Sequence, residues 1–223
     1  MKGREIFAID EWYHCYSRGV DKRTVFENES DYARFKNLMY LCNSVTSIQR
    51  SAVAKLKGRE VYEIERGDPL VAIGAYCLMP NHFHLLVREV QEGGISEFMR
   101  KVGIAYAMYF NIKHDRVGNL FVKPFRAKHV SDDGYFKRVA QYIHLNPVEL
   151  FEPRWKEGRI GDLKILADNI RKFKHSSLPE YLAPGRPEAA ILDSQAHDLI
   201  SADMLPLEEI LFESLMYYQD LPR

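Results

Sequence analysis

The chain has 223 residues, of which 46% are hydrophobic and 12% aromatic, enough for one sizeable folded domain with at most a small appendage. It carries 31 Lys and Arg against 31 Asp and Glu, and this net charge of zero argues against a uniformly basic nucleic-acid-binding protein. No apolar run is long enough to span a bilayer, the N-terminus shows no signal-peptide pattern, and the three widely spaced cysteines form no CxxC pair. These features predict a cytoplasmic protein with reduced thiols.

The first half of the chain predicts a strand, a helix and a β-hairpin. Residues 12–19, WYHCYSRG, are rich in strand-forming side chains and end at a glycine. Residues 29–42 repeat apolar side chains at helical spacing, with Ser30 or Asp31 available as the N-cap. The polar residues 45–69 predict an insertion or an extra hairpin. The apolar run 70–79, the turn dipeptide PN and the segment HFHLLVRE then predict two antiparallel strands.

The second half predicts two amphipathic helices separated by an extended segment. An apolar stripe begins after Ser96, and a second helix is predicted from a Ser131 cap to Asn146, because Pro147 follows. Between them the chain is turn-rich and then extended. Residues 186–223 predict one or two short acidic helices. The order of elements predicts an α+β sandwich, in which helices cover one face of an antiparallel sheet.

The charges are unevenly distributed along this neutral chain. Residues 98–140 contain nine Lys and Arg but only three acids, and residues 186–223 contain eight acids but only two arginines. A basic stretch beside an acidic tail suggests a local site for a polyanion, which the tail could cover. The alternative is that both segments are solvated helix faces.

Two histidines, His82 and His84, lie one residue apart in the second strand of the hairpin. Side chains alternate between the faces of a strand, so both histidines face one way, together with Leu86. Two imidazoles on one strand face can share a metal ion. The alternative is a pair of half-buried histidines whose ring NH groups are satisfied by hydrogen bonds.

Tyr142 and Asn146 are four residues apart in the second predicted helix, so the phenol and the amide share a helix face, whereas His144 lies on another. A phenol can act as a covalent nucleophile at phosphorus. Its ordinary pKa of about 10 means that it needs either deprotonation or a polarised target. The alternative is that Tyr142 is an ordinary aromatic residue of an amphipathic helix.

Four blocks of sequence, in this order, resemble the REP-associated tyrosine transposases of the HUH superfamily of single-strand DNA transposases (the insertion-sequence two-hundred-like group). They are YHCYSRGVDKRTVF, YCLMPNHFHLLV, YIHLNPV and KHSSLPEYL, and the likeness covers about residues 10–185. The chain departs from the family in its longer segment near 45–69, in His175 and Leu178 where members often have aromatic residues, and in the tail, which carries no family motif.

The resemblance implies a ferredoxin-like α+β sandwich over residues 1–185, followed by an acidic helical tail over residues 186–223. It implies that His82 and His84 bind Mg²⁺ or Mn²⁺ and that Tyr142 is the nucleophile. A third metal ligand is implied at Asn146, where relatives often have Gln. The implied reaction cleaves and rejoins single-stranded DNA at hairpin-flanked sites through a 5′-phosphotyrosine. Two alternatives stay open: a domesticated hairpin-DNA-binding protein that does not cleave, and a metal-dependent hydrolase that uses water.

Under this reading the basic stretch would hold the phosphates of single-stranded DNA. The candidate DNA-binding residues are Arg18, Arg100, Lys101, Lys123, Arg126, Lys128, Lys137 and Arg138. Tyr106 and Phe125 could stack on unpaired bases, whereas core packing is favoured for Tyr109 and Phe121. The protein is expected to be a monomer or a homodimer.

Overall fold

A computed structural model describes residues 6–46, 58–183, 185–202 and 204–220. Its centre is a four-stranded antiparallel sheet with the strand order β2-β3-β1-β4. The strands are β1 (Trp12–Arg18), β2 (Val71–Met79), β3 (His82–Glu89) and β4 (Arg126–Val130). Helix α1 (Glu29–Cys42) connects β1 to β2, and helix α2 (Gly94–Lys113) connects β3 to β4. This order of strands and helices is that of a ferredoxin-like sandwich, so the predicted α+β fold is confirmed.

Helices cover both faces of the sheet. On one face, α1 and α2 pack against Phe83, Leu85 and Val87 of β3. On the other face, α3 (Asp133–Leu145) and α7 (Ser194–Ser201) pack against β2 and Leu86. The expectation that helices would cover only one face was therefore wrong. Every residue of β2 is buried, as its unbroken apolar run indicates for a strand that is covered on both sides.

The helix N-termini differ slightly from those predicted. Asn28 caps α1 by accepting hydrogen bonds from two backbone amides of the first turn, in place of Ser30 or Asp31. At α3 the cap is Asp132, whose side chain accepts from the Tyr135 amide, in place of Ser131. The cap thus lies before the predicted residue in α1 and one position after it in α3, and each satisfies amides that would otherwise lack a partner.

The segment predicted as an insertion or an extra hairpin lies partly outside the described residues, since 47–57 are not described. In its described part the chain forms a 3-10 helix at Gly58–Glu63 and no strand. Hence no extra hairpin forms within residues 58–69.

After α3 the chain forms α4 (Val148–Phe151), a 3-10 turn (Trp155–Glu157), α5 (Leu163–Arg171) and α6 (Leu178–Leu182). The tail adds a 3-10 turn (Pro187–Ile191), α7 and α8 (Leu207–Asp220). Leu207, Ile210 and Leu211 of α8 are buried in a cluster with residues of α5. Two of the tail's acids pair with basic residues of the domain, since Glu208 binds Arg171 and Glu188 binds Lys36. Helix α8 of the tail is thus packed into the folded core.

The segment KHSSLPEYL runs along the free edge of β2. The Leu78 amide donates to the His175 carbonyl and the Ser177 amide donates to the Tyr76 carbonyl, both over 2.9 Å. The Ser177 hydroxyl accepts a hydrogen bond from the Tyr76 amide and bonds with Nε2 of the buried His144, each at 2.9 Å. This family motif therefore ties the sheet edge to α3, the helix that carries Tyr142. None of the helices in the described residues combines the length and hydropathy needed to cross a membrane.

Candidate active site

The two predicted metal-binding histidines begin β3 on the face covered by α3. His84 is 6% exposed and His82 is half-buried, and the centroids of their rings are 5.0 Å apart. Across the sheet, His84 pairs with Tyr16 and His82 pairs with Arg18. Directly opposed residues of antiparallel strands share a face, so these four side chains belong to one surface.

Helix α3 brings Tyr142 to this surface. Its buried apolar residues, which include Phe136, Val139 and Ile143, pack on the sheet and fix the helix across the histidine face. The Tyr142 side chain is 39% exposed, and its ring stands perpendicular to the His84 ring, with 5.6 Å between their centroids. The predicted nucleophile and one predicted metal ligand, which are 58 positions apart in sequence, are thus in contact.

Asn146 lies at the C-terminal end of α3 and is 7% exposed. Its Nδ2 donates to the Tyr142 carbonyl over 2.9 Å, which is a local bond within the last helical turn. It also lies close enough to His82 to raise the pKa of that ring slightly. The structure therefore places Asn146 between the helix of Tyr142 and the histidine strand.

Burial keeps the histidines of this site neutral at physiological pH. The pKa of His84 is lowered to about 2 by burial, with further contributions from His14, His82 and Arg18. The pKa of His82 is lowered to about 4 by burial and by the charge of Arg18, against the opposing effects of Glu149 and Asn146. Neutral imidazoles keep one nitrogen lone pair each, which is the form that binds metal ions.

The sequence did not reveal that a third histidine, His14 of β1, belongs to the site. His14 is 8% exposed, and its Nε2 lies 2.8 Å from Nδ1 of His84. Its ring is also 5.7 Å from that of Tyr142. Strand alternation in WYHCYSRG places His14 and Tyr16 on one face, but the pairing of β1 with β3 is what brings His14 to His84. Sequence alone does not give that pairing.

The donor set is of a kind that fits a divalent cation. The Nδ1 atoms of both predicted ligands are already hydrogen bonded, that of His82 to Asn81 Oδ1 over 2.6 Å and that of His84 to His14. Each ring is left with Nε2, and Asn146 is left with its amide oxygen. No cluster of three or more His, Cys, Asp or Glu able to hold a metal occurs in the described ranges. Two imidazoles and one amide would therefore be the protein's share, and phosphate oxygens or water would complete the coordination.

Three of the predicted DNA-binding residues share the histidine face. Arg18 opposes His82, while Arg126 and Lys128 of β4 oppose Tyr16 and His14 of β1. Arg126 and Lys128 are exposed, as is Arg18. The charge of Lys128 also contributes, after burial, to lowering the pKa of His14 to about 4. The edge strand β4 thus extends the site with positive charge.

Two further candidates, Lys137 and Arg138, lie on α3 itself. Arg138 and Lys128 both approach the ring of Tyr135, at 5.8 and 5.0 Å from its centroid. This contact brings Lys128 of β4 close to Arg138 of α3, whereas Lys137 lines a cavity with Ile200 and Leu207 of the tail. Lys123 is exposed in the loop before β4, beyond the end of β1.

Arg100 and Lys101 are not part of this surface. They lie on α2, which packs against the opposite face of the sheet. Arg100 forms an ion pair with Glu97 at 2.6 Å, and Lys101 donates to the Ser44 carbonyl over 2.7 Å. Their positions in the basic stretch of the sequence did not indicate which face of the sheet they lie on.

Among the aromatic residues considered for base stacking, Tyr106 is fully buried and Phe121 is 6% exposed, so both belong to the core. Tyr106 was wrongly expected to be a stacking candidate. The half-buried Phe125 stacks on Phe7, and the Tyr109 hydroxyl donates to Asp31 over 2.8 Å.

The sequence analysis also missed an ion pair that lies near the histidines. Lys156 contributes to lowering the pKa of both His82 and His84, whereas Glu149 raises that of His82. Lys156 and Glu149 form an ion pair with each other. They come from α4 and the 3-10 turn that follow α3, so the chain after YIHLNPV adds a further cation beside the site.

Comparison with known protein families agrees with the sequence motifs. Residues 63–146 match a family described as "Transposase IS200 like", and this range contains both strand histidines, Tyr142 and Asn146. No curated protein matches. A solved structure, titled "Structure of the REP associates tyrosine transposase bound to a REP hairpin", is similar at 12% identity, with 83% of this chain and 87% of that chain covered and a TM-score of 0.49. A likeness at that level does not carry residue roles or ligands from one chain to the other. The family match thus agrees with the sequence resemblance over residues 63–146.

Proposed function

We propose that the protein cleaves and rejoins single-stranded DNA at hairpin-flanked sites, with Tyr142 as the nucleophile. The observation that carries the proposal is the contact between the exposed ring of Tyr142 and the buried ring of His84, 5.6 Å apart. Asn146 and His82 adjoin the same point. This convergence of a phenol with neutral metal-type ligands on one surface suits attack on a phosphodiester.

The reaction is an exchange of phosphodiester bonds. The Tyr142 oxygen attacks the scissile phosphorus, a bond forms between them, and the bond from phosphorus to the 3′ oxygen breaks. The departing 3′ oxygen takes up a proton, which balances the proton that the phenol loses. In the reverse step a 3′-OH attacks the phosphotyrosine and restores the phenol, so joining requires neither water nor a high-energy cofactor.

Two groups of side chains would serve this exchange. His82, His84 and the Asn146 amide oxygen would hold Mg²⁺ or Mn²⁺, which when bound supplies Lewis-acid polarisation of a phosphate oxygen. Arg18, which opposes His82 across the sheet, would hold the phosphate on the strand side. Arg126 and Lys128 would hold the backbone of the DNA further along β4.

The DNA partner follows from the sequence resemblance, which implies a single strand carrying a hairpin. A chain with formal net charge zero can still bind DNA, because Arg18, Arg126 and Lys128 gather positive charge on the histidine face. Two of the eight acids of the tail, Glu188 and Glu208, are paired with Lys36 and Arg171. We expect a monomer or a homodimer in solution.

Tyr142→Phe tests the proposal, because it removes only the attacking oxygen. Hairpin oligonucleotides with randomised single-stranded flanks would be incubated with protein and Mn²⁺, then resolved on a denaturing gel. The wild-type protein should yield a covalent protein–DNA band and a free 3′-OH fragment. Tyr142→Phe should yield neither and should still bind the DNA.

Tyr135→Phe is the matched control, since Tyr135 lies two turns earlier on the same helix. It should retain the covalent band, and the adduct peptide identified by mass spectrometry should contain Tyr142. Cleavage without an adduct would instead support a hydrolase, and binding without cleavage by the wild type would support a DNA-binding protein that no longer cuts.

A further inference from the structure

His14 and His84 share a single hydrogen bond inside the protein. Nε2 of His14 lies 2.8 Å from Nδ1 of His84, and the two rings are inclined by 26° with centroids 5.0 Å apart. Tyr16 stacks on the same His84 ring at 5.5 Å. Both histidines are less than 9% exposed, so His84 is held between two neighbours of β1 and has little freedom to turn.

Such a bond between two neutral imidazoles has only two forms, because one nitrogen must donate and the other must accept. If His84 donates from Nδ1, its Nε2 carries a lone pair. If His14 donates from Nε2, His84 accepts on Nδ1 and carries its own proton on Nε2. Only the first form leaves His84 with a free nitrogen for a cation.

The neighbouring histidine gives a basis for choosing between the two forms. His82 Nδ1 lies 2.6 Å from Asn81 Oδ1, and an amide oxygen can only accept, so the His82 proton is on Nδ1 and its Nε2 is free. A matching tautomer at His84 gives both rings of the pair a free Nε2. The hydrogen bond of a ligand's second nitrogen is the usual means by which proteins set this tautomer.

We propose that His14 is a positioning residue, which accepts the Nδ1 proton of His84 on its own Nε2 and thereby keeps His84 Nε2 open towards the cation site. The inference rests on the proposed function, because in that function the unprotonated Nε2 of His84 binds the cation. It assigns a role to the histidine of the first sequence block, YHCYSRG, which neither the nucleophile nor the ligand set accounts for. His14 itself would contact neither the cation nor the DNA.

The tautomer can be measured directly in the metal-free protein by long-range ¹H–¹⁵N NMR of the histidine rings. In the wild type, His84 should show a protonated Nδ1 and an unprotonated Nε2. His14→Phe, which keeps a ring but removes the acceptor, should shift His84 towards the Nε2-protonated form. His14→Gln should restore the wild-type pattern, because its amide oxygen can accept at about the position of the lost Nε2.

A Mn²⁺ titration followed by EPR gives the second readout. His14→Phe should weaken Mn²⁺ binding by about 10- to 100-fold, the usual effect of losing a partner behind a metal ligand. His14→Gln should recover most of it. Tyr16→Phe, which keeps the stacked ring on the other side of His84, should bind Mn²⁺ as the wild type does.

A wild-type spectrum in which His84 is protonated on Nε2 would overturn the inference, as would an unchanged tautomer in His14→Phe. The wild-type spectrum decides the matter even if His14→Phe does not fold. Failure of the proposed function would look different: Tyr142→Phe would still cut DNA while the His84 tautomer behaved as described. If the wild type formed the Tyr142 adduct but carried Nε2-protonated His84, only the inference about His14 would fall.

Discussion

Glu180→Gln should make the folded protein more stable above pH 7 and leave its stability nearly unchanged near pH 4. Glu180 belongs to α6, within the segment KHSSLPEYL, and is 1% exposed. Neither of its carboxyl oxygens has a hydrogen-bond partner, and Arg186 Nη1 lies 3.5 Å away. Burial raises the pKa of this carboxyl from 4.5 to about 7, although the charge of Arg186 works against the rise.

The sign and size of the effect follow from that shift. A raised pKa means that the folded state favours the protonated carboxyl, so this contribution to stability is complete below pH 4.5 and is lost as the pH rises through about 7. A rise from 4.5 to about 7 corresponds to about 3 kcal/mol, at about 1.4 kcal/mol per pH unit. Gln cannot ionise and keeps the neutral form. Urea unfolding of both proteins at pH 4 to 9 should therefore show a difference that grows by about 3 kcal/mol in favour of Glu180→Gln.

Glu188→Gln is the matched control, and it should change the stability of the folded protein in the opposite direction. Burial disfavours ionised Glu188, but its hydrogen bond to Lys36 Nζ at 2.5 Å and the charge of Arg186 outweigh burial and lower its pKa. Its stabilising contribution is present above the unfolded pKa and is lost as the pH falls, so Glu188→Gln should be less stable than the wild type at pH 7. A difference between Glu180→Gln and the wild type that stays constant from pH 4 to 9 would refute the reasoning, because Glu180 would then ionise in the fold without cost.

The double variant Arg126→Ala, Lys128→Ala should bind single-stranded DNA with a weaker salt dependence. The slope of log affinity against log salt should fall by about 1.4, at about 0.7 for each phosphate that the protein no longer neutralises. Arg100→Ala, on the far side of the sheet, should not change the slope, and equal slopes in the wild type and both variants would mean that the DNA does not bind along β4. Ile210→Ala in α8 should cost about 2–5 kcal/mol of unfolding free energy in urea titrations, because Ile210 is 3% exposed. Phe212→Ala, at a residue 54% exposed, should change it by less than about 0.5 kcal/mol, and similar losses in the two variants would mean that α8 is not packed as a core helix.

Local patterns in the sequence were sufficient for the sheet strands and the major helices. Strand alternation correctly placed His82, His84 and Leu86 on one face, and the turn dipeptide correctly joined β2 to β3. Helical spacing correctly separated Tyr142 from His144, which is buried against Ser177. These inferences succeeded because each depends on residues close in the chain, where the periods of 2 and 3.6 apply.

Inferences that needed contacts distant in the chain were less successful. The linear basic stretch grouped Arg100 with Arg126, although the sheet separates them, because charge density along a chain carries no information about faces. The acidic tail was considered as a cover because of its charge. Charge alone did not reveal that its residues Leu207, Ile210 and Leu211 are buried in the core.

The position of Tyr142 depends on three such distant contacts, and this gives the segment KHSSLPEYL its significance. The β1–β3 pairing brings His14 to His84, and the apolar face of α3 lays Tyr142 across them. A helix packed only by apolar side chains could still slide, since apolar contacts are not directional. The buried hydrogen bond between His144, two residues after Tyr142, and Ser177 at the edge of β2 is directional and would be costly to break. Ser177 of the segment KHSSLPEYL therefore fixes the position of Tyr142 relative to His82 and His84.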